Sequence, residues 1–427
     1  DAIDQKAPFS SYGSKCVDIA APGVGFYSTA VFAPTQQINN TYLDQYYGGY
    51  WSGTSMATPV VVGVLALLEG ASPGAKAQQI KDILLASADD INQLNPFYQG
   101  KLGTGRVDAL NAVSLAVREK QAQSVRLLLA PASGDAAQVK ETEADGTLIA
   151  KFNANPSGGV YAASGDVDGD NQTEIVVGPA AGTAGRVKIF SSDGKLKSQF
   201  YAFASTYRGG VKVATGDFDG DGKDEIVTAA GTGLRSDVKI FDNQGKLKNQ
   251  FTAYDAKFLG GVNIAAGDVD GDGKVEVVTG PGPGYPPQVK IFSAAGKIKG
   301  QFLAYDKNFH GGVNVAVADL NGGAANHLEQ IVTAPLKGGG PHIRIFDLSG
   351  RLQGQFFAYD QSFHGGVNVA AGDTDGDGLD EIITGAGPGG GPHVRIFDPS
   401  GIILQSYYAF DPTFSGGANV GTIAIKN

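Results

Sequence analysis

Acidic residues recur in this chain at a spacing suited to gripping a hard cation. The string Asp-x-Asp-Gly-Asp occurs four times, each time with a further acid at its ninth position: Asp166, Asp168, Asp170 and Glu174; Asp217, Asp219, Asp221 and Glu225; Asp268, Asp270, Asp272 and Glu276; Asp373, Asp375, Asp377 and Glu381. Alternate acids in a tight loop aim their oxygens at one point. The sixth position is Asn171, Gly222, Gly273 or Gly378, residues that tolerate positive φ. Two unscreened carboxylates about 4 Å apart repel by roughly 4 kcal/mol at an effective dielectric near 20. Four converging acids therefore predict a bound cation, and an all-oxygen donor set predicts calcium. An EF-hand would need flanking helices and an acid at position twelve, whereas β-type runs flank these loops. A fifth copy, beginning at Asp319, lacks an acid at its fifth position and is expected to bind calcium weakly or not at all.

A second constellation is nucleophilic. Ser55 lies in Gly53–Pro59, GTSMATP, directly before the apolar run VVVGVLALL. A Ser or Thr in that place is ordinarily a helix N-cap. It also offers a backbone N–H and the helix dipole to a developing oxyanion, which is the chemistry of acyl transfer. A serine hydroxyl needs a base to attack at neutral pH, yet residues 1–309 contain no histidine. His310 and His364 recur in FHGG, His342 and His393 recur in GPH before a strand, and His327 sits in an irregular insertion. None is expected to serve Ser55.

The acids belong to a repeat, and the repeat predicts how they are held. Copies of the acidic string are 51 residues apart, stretching to 54 once. After each come an apolar strand (EIVVG in the first), a second (VKIF), a third (QFYAF) and a fourth opened by Gly-Gly (GGVKVATGD). Four short strands joined by Gly- and Asp-rich turns make a propeller blade, which accounts for 63 glycines. The Gly-Gly strand recurs near residues 158, 209, 260, 311, 365 and 416. The last has no strands after it, and the stretch 126–152 aligns without gaps on 276–302, three strands lacking a fourth. Joining them completes a sixth blade and leaves no open sheet edge there. Residues 124–427 are thus predicted to form an all-β, six-bladed propeller closed by N- and C-terminal strands.

Residues 1–117 have a different grammar and read as part of an α/β domain. A short strand is expected at Val17–Ala20, then a loop rich in Tyr, Asn and Gln, then a helix from about Ser55 to Leu68. A second helix is expected over 76–88, with Ile80, Ile83, Leu84 and Ser87 at helical spacing, and a third after Gly105. The charged stretch 118–123, REKQAQ, reads as a linker.

The acidic loops and their flanks resemble the FG-GAP repeats of integrin-α-like propellers across 124–427, although integrin propellers have seven blades. That resemblance implies loops that bind calcium and a surface that contacts a protein or cell-surface ligand. The segments FSSYGSKCVDIAAPGVGFYST, YWSGTSMATPVVVGVLALL and LGTGRVDALNAV resemble, in order, the C-terminal third of a subtilase, a subtilisin-like serine protease. This implies that Ser55 is the nucleophile of a serine endopeptidase acting on polypeptides. It also implies that the Asp, the His and the oxyanion-hole Asn lie upstream of Asp1, so that these 427 residues alone are inactive. The alternative is a calcium-dependent adhesion module carrying a degenerate protease remnant.

Several classes are excluded or set aside. A net charge of −10 without a Lys/Arg block argues against nucleic acid. The apolar run Pro59–Leu68 is too short for a transmembrane segment. Cys16 is the single cysteine, so no intrachain disulfide forms. A secreted or cell-surface location is expected, with the N-terminal address absent from this sequence. Gly385–Gly390 fits the pattern GxGxxG but opens onto a strand, so it reads as a turn. The recurrent aromatics, Phe200, Tyr201, Phe203 and their equivalents, read as packing between blades.

Overall fold

The computed structural model describes residues 4–15, 17–29, 33–38, 41–43, 47–72, 75, 77–121, 125–134, 137–155, 158–321 and 328–424. The chain divides into two compact units, Asp1–Gln121 and Ala122–Asn427.

In the first unit α1 (Thr54–Ala71), α2 (Ala77–Ala86) and α3 (Ala109–Gln121) pack through Leu68, Ile80, Ile83, Leu84 and Ala112. The strand expected at Val17–Ala20 is not formed. Ala20 makes one isolated bridge, to Arg106, exchanging backbone hydrogen bonds with Gly105 and Val107, while the Asp18 carbonyl accepts the N–H of Thr104, too little pairing among the described residues for a strand. The Tyr-rich loop instead holds two hairpins, Phe26–Thr29 with Tyr47–Trp51 and Ala33–Ile38 with Thr41–Leu43. Aromatic and β-branched residues favour such pairing. The stretch read as a linker is helical through Gln121, so α3 continues to the boundary between the units. At 18 residues α1 meets, by length and composition alone, the size of a bilayer span. It nevertheless buries Val64 and Leu68 in the helical core. Val62, Leu67 and Leu110 remain exposed.

The second unit is six antiparallel four-stranded sheets. Blades 1 to 5 begin with inner strands Val160–Gly165, Val211–Gly216, Val262–Gly267, Val313–Ala318 and Val367–Gly372. The sixth sheet pairs Ala418–Ala424 with Val125–Pro131, followed by Ala137–Thr142 and Leu148–Asn155, so the two ends of the unit close the ring in one blade. The inner strands line an axial cavity of about 270 Å³. Second strands such as Glu174–Pro179 and Glu381–Ala386 are buried at every position, as strands covered on both faces must be. Blades meet through ring pairs: Phe200 with Phe241 at 5.0 Å, Phe251 with Phe292 at 4.7 Å, and Phe302 with Phe346 at 4.7 Å. These phenylalanines pack one blade on the next as expected, whereas Tyr201 and its equivalents Phe357 and Tyr408 on the same outer strands are exposed.

Candidate functional site

Each acidic loop joins the first strand of a blade to the second, and its shape follows from the first Asp. Asp373 accepts the N–H of Gly376 at 2.7 Å and that of Gly378 at 2.9 Å, and Asp217 holds Gly220 and Gly222 in the same way. Those fourth and sixth positions are left-handed, with φ of 81° and 82° at Gly376 and Gly378 and 64° at Asn171, which explains the residue types found there. The ninth residue heads the second strand and folds back: Glu174, Glu225, Glu276 and Glu381 each accept the N–H of the loop's second residue.

This folding gathers three of the four acids at each loop. Carboxylate oxygens within 4.8 Å of one another come from Asp166, Asp168 and Glu174; Asp217, Asp219 and Glu225; Asp268, Asp270 and Glu276; and Asp373, Asp375 and Glu381. The fifth-position acids, Asp170, Asp221, Asp272 and Asp377, are exposed and stand outside the trios. Each instead accepts the N–H two residues on and pins the turn. In the degenerate copy, lengthened by three residues, Gln330 heads the second strand where the other loops have their glutamate, and its amide oxygen accepts the N–H of Leu320 at 2.9 Å without adding charge. Its fifth position, Gly323, lies outside the described residues.

The donor chemistry fits a hard cation. Every ligand atom is a carboxylate oxygen, and Asp168 Oδ1 is buried without a hydrogen-bond partner. In three loops a lysine ammonium already sits at the convergence point, a feature the sequence reading did not identify. Lys197 lies 2.5 Å from Asp168 and 2.9 Å from Glu174. Lys248 lies 2.6 Å from both Asp219 and Glu225. Lys299 lies 2.6 Å from Asp270 and 2.7 Å from Glu276. The recurring Leu-Lys or Ile-Lys pair that opens the fourth strand of those blades was the available signal.

Electrostatics separate the fourth loop from the rest. Hydrogen bonds to Asp168 and Glu174 raise the Lys197 ammonium, and those to Asp219 and Glu225 raise Lys248. Burial raises Glu174, Glu225 and Glu276, opposed by the lysines. Among the described residues no lysine reaches Glu381, and burial pushes it up to about 7. The acids that immediately precede the second strand in blades 4 and 5, Glu329 and Asp380, reach the preceding loop. Asp380 accepts the N–H of Asp319 at 2.8 Å, with burial raising it to about 6, while burial raises Glu329 to about 7.

The other candidate, Ser55, is the second residue of α1 and is exposed. Gly53 caps the helix without a side chain and donates its N–H to the Gly23 carbonyl at 2.8 Å. A Cβ on Gly23 would meet Gly53 O at 2.9 Å, so this turn packs backbone on backbone, and the Gly53 carbonyl accepts the N–H of Met56 at 2.9 Å. The described histidines carry out local tasks in the propeller. His310 and His364 bond to the carbonyls of Asn308 and Ser362, His393 bonds to Ser406, and His342 stacks on Phe357.

Comparison with known proteins agrees with both halves. Residues 2–110 match the subtilase family, and residues 166–228 and 217–279 match an FG-GAP-like repeat. Thermitase from Thermoactinomyces vulgaris is 42% identical over 113 residues, covering 26% of this chain and 33% of thermitase. Subtilisin NAT from Bacillus subtilis subsp. natto is 39% identical over 101 residues, covering 24% of this chain and 22% of that protein. A solved protein of unknown function from Bacteroides caccae superposes with a TM-score of 0.46 at 13% identity, covering 70% of this chain and 99% of its own. The chain spans a third or less of the length of these two proteases. It joins a region that matches part of the subtilase family to a six-bladed propeller in which residues 166–279 match FG-GAP-like repeats.

Proposed function

We propose that the protein containing these residues is a secreted or cell-surface serine endopeptidase of the subtilisin type, with a calcium-binding propeller that docks it to a protein or surface. The observation that carries the reading is Ser55, exposed on the first turn of α1 within GTSMATP, in a region similar to thermitase. The hydroxyl would attack a peptide carbonyl while first-turn N–H groups support the oxyanion. The Asp and His of the triad would come from outside residues 1–427, and these residues alone would be inactive. Calcium would be held by the trios Asp166/Asp168/Glu174, Asp217/Asp219/Glu225, Asp268/Asp270/Glu276 and Asp373/Asp375/Glu381, where its charge offsets their repulsion and stiffens the turns. The test is cleavage of an unfolded polypeptide by the longer protein: Ser55→Ala should reduce turnover to background, and retained turnover would overturn the reading.

A second reading, an adhesion module with a non-catalytic protease remnant, is favoured by one observation: the propeller with its four acidic trios takes up residues 122–427, most of the chain. Lack of turnover in the longer protein, together with calcium-dependent attachment to a surface, would select it.

A further inference from the structure

The four acidic trios share their ligands but not their surroundings. In blades 1, 2 and 3 the fourth strand begins with an apolar residue paired to the last residue of the third strand: Phe190 with Leu196, Phe241 with Leu247, and Phe292 with Ile298. The next residue is Lys197, Lys248 or Lys299, and its ammonium reaches back 23 residues to the buried glutamate of the trio. Blade 5 has the same register, Phe397 with Ile403, but the next residue is Leu404, which is exposed. Among the described residues, no ion pair reaches Asp373, Asp375 or Glu381. The Glu381 Oε2 atom is met instead by the N–H and hydroxyl of Thr374, both at 2.7 Å.

We propose that Lys197, Lys248 and Lys299 are internal counter-cations that compete with calcium for the loops of blades 1, 2 and 3, leaving the Asp373/Asp375/Glu381 loop of blade 5 as the tight calcium site. This rests on reading the loops as calcium sites. The argument is one of charge and space. Each ammonium stands within 2.9 Å of a buried glutamate and of the third-position aspartate. A dication entering that point must expel the ammonium, losing its hydrogen bonds and then facing a positive charge a few ångströms away. In blade 5 nothing cationic has to leave. Asp373 and Glu381 are buried there, as Asp166 and Glu174 are in blade 1, but among the described residues no ammonium stands between them, so the trio's repulsion is the least relieved of the four. The lysines are partly exposed, at 33%, 34% and 23%, so each can swing out to solvent when calcium is abundant. Calcium would then bind in two stages, first at blade 5 and later at the three lysine-held loops.

Calcium titration of the chelator-stripped 427-residue chain by calorimetry tests this. The wild type should show one tight equivalent and weaker binding, by about tenfold or more, at the remaining loops. Leu404→Lys should remove the tight equivalent. The triple variant Lys197→Met, Lys248→Met, Lys299→Met should raise the tight class from one toward four. Four equal equivalents in the wild type, unchanged by Leu404→Lys, would overturn the competition while leaving calcium binding intact. No binding by any variant, the lysine-free one included, would overturn the calcium reading and this inference with it.

Discussion

The side-chain amide of Asn419 donates to the main-chain carbonyl of Val160 at 2.7 Å, tying the last strand of the chain to the inner strand of blade 1. The same bond runs round the ring from Asn263 to Val313, from Asn314 to Val367 and from Asn368 to Ala418. Asn419→Ala removes one buried donor and leaves the Val160 carbonyl without it, so we expect a loss of about 1–3 kcal/mol in urea unfolding. Deleting residues 418–427 is far more severe. It strips the strand paired with Val125–Pro131, opens the ring and bares a sheet edge. Loss of a single cooperative transition is the expected result, and a truncated chain that melts like the intact one would contradict ring closure as the source of stability.

Tyr254 gives a second stability test. Its buried hydroxyl meets the Thr279 carbonyl at 3.0 Å, the Thr279 hydroxyl at 3.1 Å and the Gln288 carbonyl at 2.9 Å. Tyr254→Phe should cost about 1–3 kcal/mol, because it orphans buried acceptors. Tyr201→Phe, at an exposed position, should stay within about 0.5 kcal/mol. Equal effects in chemical denaturation would refute the distinction.

Calcium and pH should act on the propeller together. Burial raises Glu381 and Glu329 to about 7 and Asp380 to about 6. A carboxyl raised in the folded state binds more protons there than when unfolded, so it opposes folding above its folded pKa. That penalty fades as pH falls toward the ordinary carboxylate range. In chelator, the melting temperature should therefore rise between pH 8 and about 5.5. With calcium the pH 8 value should be higher and the slope flatter, since the ion favours ionised Glu381. A melt at pH 8 indifferent to chelation would count against bound calcium, and a fall on mild acidification would count against the buried acids.

Mobility offers a simple check on occupancy. Four calcium ions add eight positive charges to a chain of net charge −10, leaving about −2. Native electrophoresis should slow markedly on calcium addition at concentrations that fill all four loops. Occupancy of the blade 5 loop alone would give a quarter of that charge change, and no shift at saturating calcium would argue that the loops stay free of it.

Much of the propeller was legible because it repeats. The Gly-Gly strands set the blade count, and the gapless match of 126–152 to 276–302 announced the shared sixth blade. The loops were readable as acidic clusters, but not which acids converge. That depends on Asp170 and its equivalents each giving one oxygen to a backbone N–H, while the second oxygen of Asp272 goes to Lys299. The lysines escaped notice because each reaches its glutamate from another strand, a partnership visible only once the sheet is folded. In the first unit the apolar helices were evident. The strand at Val17–Ala20 failed because pairing is set by neighbours rather than by the run itself.

Fluorophosphonate labelling of the longer protein, with the modified residue located by mass spectrometry, tests the protease assignment most directly. The account predicts label on Ser55, lost in Ser55→Ala and absent from residues 1–427 alone. Labelling that survives Ser55→Ala, or a longer protein that never labels, would contradict it.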